Sequence, residues 1–159
     1  MPSRDYEELL ASFNEHGVRY LVVGAHAVAF HARPRATKDL DLFVEPTAEN
    51  ASRLLAAIRS FFGGFDLGLK EADFLEPGRI VQLGVAPVRI DLITRLASRL
   101  DFERAWARRI EASFADVPAP YLAIGDLIAE KRSAARPQDQ ADLVSLERAR
   151  KFAEDRENE

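Results

Sequence analysis

RATKDLDLFVEP, Arg35 to Pro46, places Asp39 and Asp41 inside a run that otherwise has the apolar character of a buried strand, closed by Pro46. Side chains alternate along a strand, so Asp39 and Asp41 share one face while Leu40, Leu42 and Val44 share the other. At a rise of about 3.3 Å per residue, the two aspartate Cα atoms stand about 6.6 Å apart, and their carboxylates can converge on one ion. Two like charges held this close repel unless a cation or a proton is shared between them. Cysteine is absent, so disulfides and thiolate sites are excluded and a metal here takes oxygen or imidazole ligands. Magnesium or manganese is the expected ion.

VRIDLI, Val88 to Ile93, has the same construction. Val88, Ile90 and Leu92 form an apolar face and Asp91 stands opposite. If this strand pairs beside the first, three carboxylates meet on one sheet face, a donor set suited to one or two Mg²⁺ or Mn²⁺ ions with phosphate and water completing the shell.

A third element leads toward the acids. VRYLVVG, Val18 to Gly24, reads as a short strand ending in glycine, and AHAVAFHAR as a helix broken at Arg33-Pro34-Arg35. A small residue at such a strand-to-helix turn lets backbone come close to a ligand and leaves the first helical N–H groups facing an anion. The turn is not a dinucleotide fingerprint, because the second and third glycines are missing, nor a P-loop, because no Gly-Lys-Ser/Thr follows.

Around this centre, Asp5 to Glu15 has helical spacing and Gly17 stops it. Thr47 is an N-cap for a helix from Ala48 to Phe62, which Gly63-Gly64 closes. Phe65 to Glu76 carries no clear periodicity. Arg79 to Leu83 and Val88 to Thr94 read as a hairpin turning at Gly84 to Pro87. Asp101 caps a helix through Ala105 and Trp106, Pro118-Ala119-Pro120 reads as irregular, and helices follow over Ile124 to Ala135 and Gln138 to Lys151. The fold class is α+β, a mixed sheet flanked by helices with a helical C-terminal part. The expected division is a core over 1–115, C-terminal helices packed on it over 116–152, and a frayed tail over 153–159.

The 159 residues, 47% apolar, suit one domain. No apolar run approaches the ~20 residues that span a bilayer, and MPSRDYEELL is polar and acidic, unlike a signal peptide. A soluble, cytoplasmic protein without a membrane partner is expected. A net charge of −4 argues against a surface that coats nucleic acid, although arginines cluster at Arg33 and Arg35 and over Arg132, Arg136, Arg148 and Arg150.

Val23-Gly24-Ala25, thirteen intervening residues and Asp39-Leu40-Asp41, with Asp91 on a later strand, resemble the signature of the DNA polymerase β-type nucleotidyltransferase superfamily. The longer run VVGAHAVAFHARPRATKDLDLFV is similar to small bacterial nucleotidyltransferase-like proteins that include the abortive-infection type toxins, in which an Arg-x-Thr-x-Asp-hydrophobic-Asp block recurs, here Arg35 to Asp41. DLIAEKRSAARPQDQADLVSLE looks like the helical end of that group, with Lys131 and either Asp139 or Asp142 as counterparts. The resemblance covers roughly Val18 to Glu147. It implies metal held by Asp39, Asp41 and Asp91, which are also the catalytic acids, and nucleotide contacts from Gly24, Ala25, Arg35, Thr37, Lys38 and Lys131. It implies an NTP donor, an acceptor hydroxyl on an RNA end, a protein or a small molecule, and a partner protein from a two-gene pair.

Ala25 stands where active members have glycine or serine. A serine there supplies a hydroxyl to the phosphates; alanine keeps the turn small and removes that donor. The alternative is therefore a catalytically inactive nucleotidyltransferase-fold module acting as antitoxin or regulatory partner. Other residues have plainer readings: His26 and His31, five apart, suit packing or capping; Thr37 suits a local loop bond; Lys131 and Asp142 suit a helix surface; Trp106, Phe61 and Phe62 suit the core.

Overall fold

The computed structural model describes residues 4–34, 37, 39–85 and 88–158. The strand carrying the two acids, β2 (Asp39–Val44), lies inside a six-stranded mixed sheet. Its neighbours are β1 (Tyr20–Val23), antiparallel to it, and β4 (Val88–Ile93), parallel to it. Outside β4 runs β3 (Ile80–Val85) as an antiparallel edge; outside β1 run β6 (Val117–Tyr121) and then β5 (Ile110–Phe114) as the other edge.

The alternation read from the sequence holds on β2. Leu40, Leu42 and Val44 are fully buried, and Asp39 and Asp41 are half-buried on the opposite face. Phe43, on the acidic face, is also buried, edge-on to Phe102, so that face is open only toward the start of the strand. Val22, Ile90 and Leu92 join the leucines in one core with Leu9, Leu10 and Phe13 of α1 (Arg4–Glu15) and with Leu54, Ala57 and Ile58 of α3 (Ala48–Phe61). Ser12 ties the two helices by donating to the Ala57 carbonyl at 2.9 Å. Thr47 caps α3 by accepting from the Asn50 N–H, and Asp101 caps α4 (Phe102–Ala107) by accepting from the Arg104 N–H.

Three expectations need correction. Pro118-Ala119-Pro120 is not irregular: it is the body of β6, and the sheet continues past residue 115 to Tyr121. Two prolines two residues apart leave the same strand edge without donors, so Val117, Ala119 and Tyr121 keep theirs for the β5 ladder. The contact with β1 is correspondingly confined to Val22 and Tyr121. At the C-terminus α6 (Pro137–Glu157) extends beyond the expected end at Lys151, with Arg156 over the Phe152 ring. Finally, β3 extends to Val85 through Gly84, whose φ of +71° admits a bend; Ala86 and Pro87 of the expected turn lie outside the described residues.

The remaining elements are α2 (Gly24–His31), a 3₁₀ turn (Glu71–Phe74) and α5 (Ile124–Ala134). Among the described residues, no helix is long and apolar enough to cross a membrane.

Candidate active site

The register of β2 and β4 sets Asp41 directly opposite Asp91 and Asp39 opposite Arg89. On its other side Asp41 faces Val23, the last residue of β1, so the Gly24 turn lies against the acid. Gly24 has φ +66°, and a Cβ added there would stand 2.4 Å from Asp41 Oδ2. The glycine is required twice, by its left-handed backbone and by the carboxylate packed on its Cα. Gly24 also opens α2, whose first-turn N–H groups have no partners within the helix. The sequence reading took this glycine as room for a ligand; the nearest group it makes room for is Asp41 itself.

Asp41, Asp91, Gly24, Arg89, Lys131 and Arg136 line a cleft of about 410 Å³ between the sheet and α5. Burial raises the Asp41 carboxyl to about 6, with the charges of Asp91 and Asp39 adding to it and those of Lys131 and Arg89 partly offsetting it. Like charges crowded in a half-buried site are what a cation would relieve. Tyr6 reaches the same place from α1: its hydroxyl donates to the Arg89 carbonyl at 3.2 Å, and its pKa is raised, first by burial and also by all three aspartates.

Arg89 is the residue that the sequence reading missed. Its Nε and Nη2 donate to the two Asp91 oxygens at 3.1 and 3.0 Å, a bidentate fork that occupies both. The signal was available: Arg89 lies two residues before Asp91 and so shares its face, by the same rule that paired Asp39 with Asp41. With Asp91 turned to Arg89, no group of three or more His, Cys, Asp or Glu side chains among the described residues converges closely enough to hold an ion. The donor chemistry nevertheless fits a hard divalent cation: the acids offer oxygen only and sit on adjacent strands, and the charge of Asp41 is only partly offset by Arg89 and Lys131.

Lys131 lines the cleft, but its ammonium is buried and bonded to Asp139 and Asp142, each at 3.1 Å. Burial works to raise the Asp139 carboxyl. Hydrogen bonds from the Arg136 side chain and backbone and from Lys131 outweigh it, holding the group down at about 2. Lys131 thus stands near Asp41 as part of a charge-balanced cluster that joins α5 to α6.

Thr37 makes local bonds, donating to the Asp39 carbonyl at 3.2 Å and accepting from the Asp39 N–H at 3.3 Å. Arg35 and Lys38 lie outside the described residues. His31 bonds the Leu122 carbonyl through Nε2 at 2.7 Å, and His26 packs between Tyr6 and Phe114. Trp106 lies between the guanidinium groups of Arg19 and Arg109, stacked on Phe102.

A family described as nucleotidyl transferase of unknown function matches residues 2–154. The chain belongs to this family. No curated protein matches it. Among solved structures it is similar to a candidate nucleotidyltransferase from Thermotoga maritima, at 14% identity and a TM-score of 0.53, over 96% of this chain and 92% of that one. At that identity the likeness is one of fold: the nucleotidyltransferase-like sheet with its flanking helices is shared. The transferase family and the α+β architecture therefore agree with the glycine-to-acid geometry described above.

Proposed function

We propose that this protein is a cytoplasmic, metal-dependent transferase that moves a nucleoside monophosphate from an NTP to a hydroxyl on an RNA end, a protein or a small molecule. The observation that supports it best is Asp41 held against Gly24 at the start of α2, opposite Asp91 on the parallel strand. In this reading Asp39 and Asp41 hold the nucleotide's Mg²⁺ or Mn²⁺, and Asp91 completes the set once Arg89 leaves it. The ion, when bound, supplies Lewis-acid polarisation of the phosphates and offsets their charge.

The residues of the chain do the rest. The first N–H groups of α2 face the phosphates, with Ala25 contributing backbone only. Arg35 and Lys38, beside the acidic strand in sequence, contribute charge, as does Arg89 when it is displaced from Asp91. Asp91 accepts the proton of the attacking hydroxyl. The acceptor oxygen bonds to the α-phosphorus, the bond from that phosphorus to the α–β bridging oxygen breaks, and pyrophosphate leaves.

The test is incubation of the purified protein with labelled NTPs, Mg²⁺ or Mn²⁺, and RNA, protein and small-molecule acceptors. A labelled acceptor lost in Asp41→Asn is the expected result. Absence of both NTP and metal binding would overturn the reading.

A second reading has its own support in Ala25 and in the Arg89 fork on Asp91. It is an inactive fold of the same family acting as the antitoxin or regulatory half of a two-gene pair. It requires a stable complex with the neighbouring gene's product that survives joint Asp39→Asn and Asp41→Asn replacement.

A further inference from the structure

Arg136 lines the acid cleft together with Val23, Gly24 and Asp41, and it has no part in the chemistry above. It joins α5 to α6, and its backbone is constrained on both sides. Ala135 closes α5 in the left-handed region at φ +52°, and Pro137 opens α6. A proline restricts the residue before it to extended torsions, and Arg136 has φ −78° and ψ 158°. α6 packs on α2 as well as on α5.

The side chain is seated through part of its donor set. Nε and Nη2 donate to the Asp139 carboxylate at 3.1 and 3.4 Å, and the Arg136 backbone N–H adds a bond to it at 2.9 Å. Asp139 is fully buried and shared with Lys131, so the anchor is itself fixed. Nη1 has no protein partner among the described residues, and the side chain is 59% exposed. Hydrogen bonds to Asp139 raise the guanidinium pKa, and the charge of Asp41 adds to the effect, so Arg136 and the acid feel one another.

The other cations of the cleft are placed differently. Arg89 is forked on Asp91, and the Lys131 ammonium is buried between Asp139 and Asp142. Arg95 lies four residues past Asp91, on the side of β2 away from β1 and Gly24. Of these four, Arg136 combines an anchored guanidinium, spare N–H donors and a place in the cleft beside Gly24. Lys131 and Arg136 are matched by Asp139 and Asp142, so the cluster adds no net attraction for an anion. Arg136 supplies directed donors instead, which discriminate by position.

We propose that Arg136 makes the site specific for a nucleoside triphosphate over a diphosphate, by donating from Nη1 to the terminal phosphate; this rests on the transferase reading above. With the α-phosphate at Asp41, the β- and γ-phosphates run along the first N–H groups of α2 toward Arg136. A diphosphate ends short of the guanidinium.

The experiment uses the full chain. Equilibrium dialysis in Mg²⁺ or Mn²⁺ measures the four ribonucleoside triphosphates and the matching diphosphates against wild type, Arg136→Gln and Arg136→Lys. Wild type should bind at least one triphosphate about 10-fold or more tighter than its diphosphate. Arg136→Gln should lose about 10-fold in triphosphate affinity and keep its diphosphate affinity, so that the preference collapses. Arg136→Lys, which keeps the charge without the planar fork, should recover only part of the loss, and it carries the same comparison if Arg136→Gln does not fold. Unchanged diphosphate affinity doubles as proof that the variant's site is intact. Equal loss for both nucleotides would mean that Arg136 acts only through the Asp139 and Lys131 cluster, and it overturns the proposal. A triphosphate preference that survives in Arg136→Gln, or is missing in wild type, overturns it too. In each of these cases labelled transfer by wild type leaves the transferase reading standing. If no triphosphate binds wild type, the transferase reading falls and takes the role of Arg136 with it.

Discussion

Asp41→Asn should stabilise the metal-free protein while abolishing transfer. Asp41 is pushed up to about 6 from an ordinary 3.8, by burial first and then by Asp91 and Asp39. An acid whose folded pKa lies above its unfolded value binds its proton more tightly when folded. The stability this contributes is fully present below pH ~4 and lost as pH rises through ~6. The difference of about 2 pKa units corresponds to up to about 3 kcal/mol, the cost of keeping the carboxylate ionised above pH 7 without a cation. Asparagine has the same shape and no charge, so it avoids that cost and still packs against Gly24. Urea or thermal unfolding in a chelator should show the variant more stable at pH 7.5, by several degrees and up to about 10 °C in Tm, with the gap closing near pH 4. Adding Mg²⁺ should then raise wild type and leave the variant unmoved. A variant less stable than wild type at pH 7.5 without metal, or a gap independent of pH, would refute the charge-crowding argument.

The other predictions follow the same geometry. Gly24→Ala puts a Cβ into Asp41 and an L side chain at φ +66°, so a loss of at least about 1–2 kcal/mol in urea unfolding is expected, together with loss of NTP-dependent transfer. Arg89→Gln frees both Asp91 oxygens, and Mn²⁺ affinity measured by electron paramagnetic resonance without nucleotide should rise by about an order of magnitude. Unchanged affinity would place Asp91 outside the metal site. Lys131→Met leaves two buried carboxylates short of a cation, at a cost of about 3–5 kcal/mol in chemical denaturation; a second change, Asp142→Asn, should recover part of it.

What was legible in the sequence was legible because it is local. Alternation over two-residue steps fixed which side chains of β2 face the core, and Thr47 and Asp101 cap helices through bonds spanning three residues. The prolines of β6 misled because a proline's meaning depends on which strand edge it turns toward, and that depends on β5, β1 and their register. Arg89 was within reach of the alternation rule, since it shares a face with Asp91.

The sequence by itself determined the α+β class, the acid-bearing strands and the glycine turn between strand and helix, since each follows from periodicity or backbone freedom within a few residues. Only the tertiary structure decided that Asp41 lies opposite Asp91 and against the Gly24 Cα, that Arg89 holds Asp91, and that Lys131 is buried between Asp139 and Asp142. Those facts depend on strand register and helix docking, which join residues far apart in the chain. The charge balance of a half-buried site exists only once they are joined.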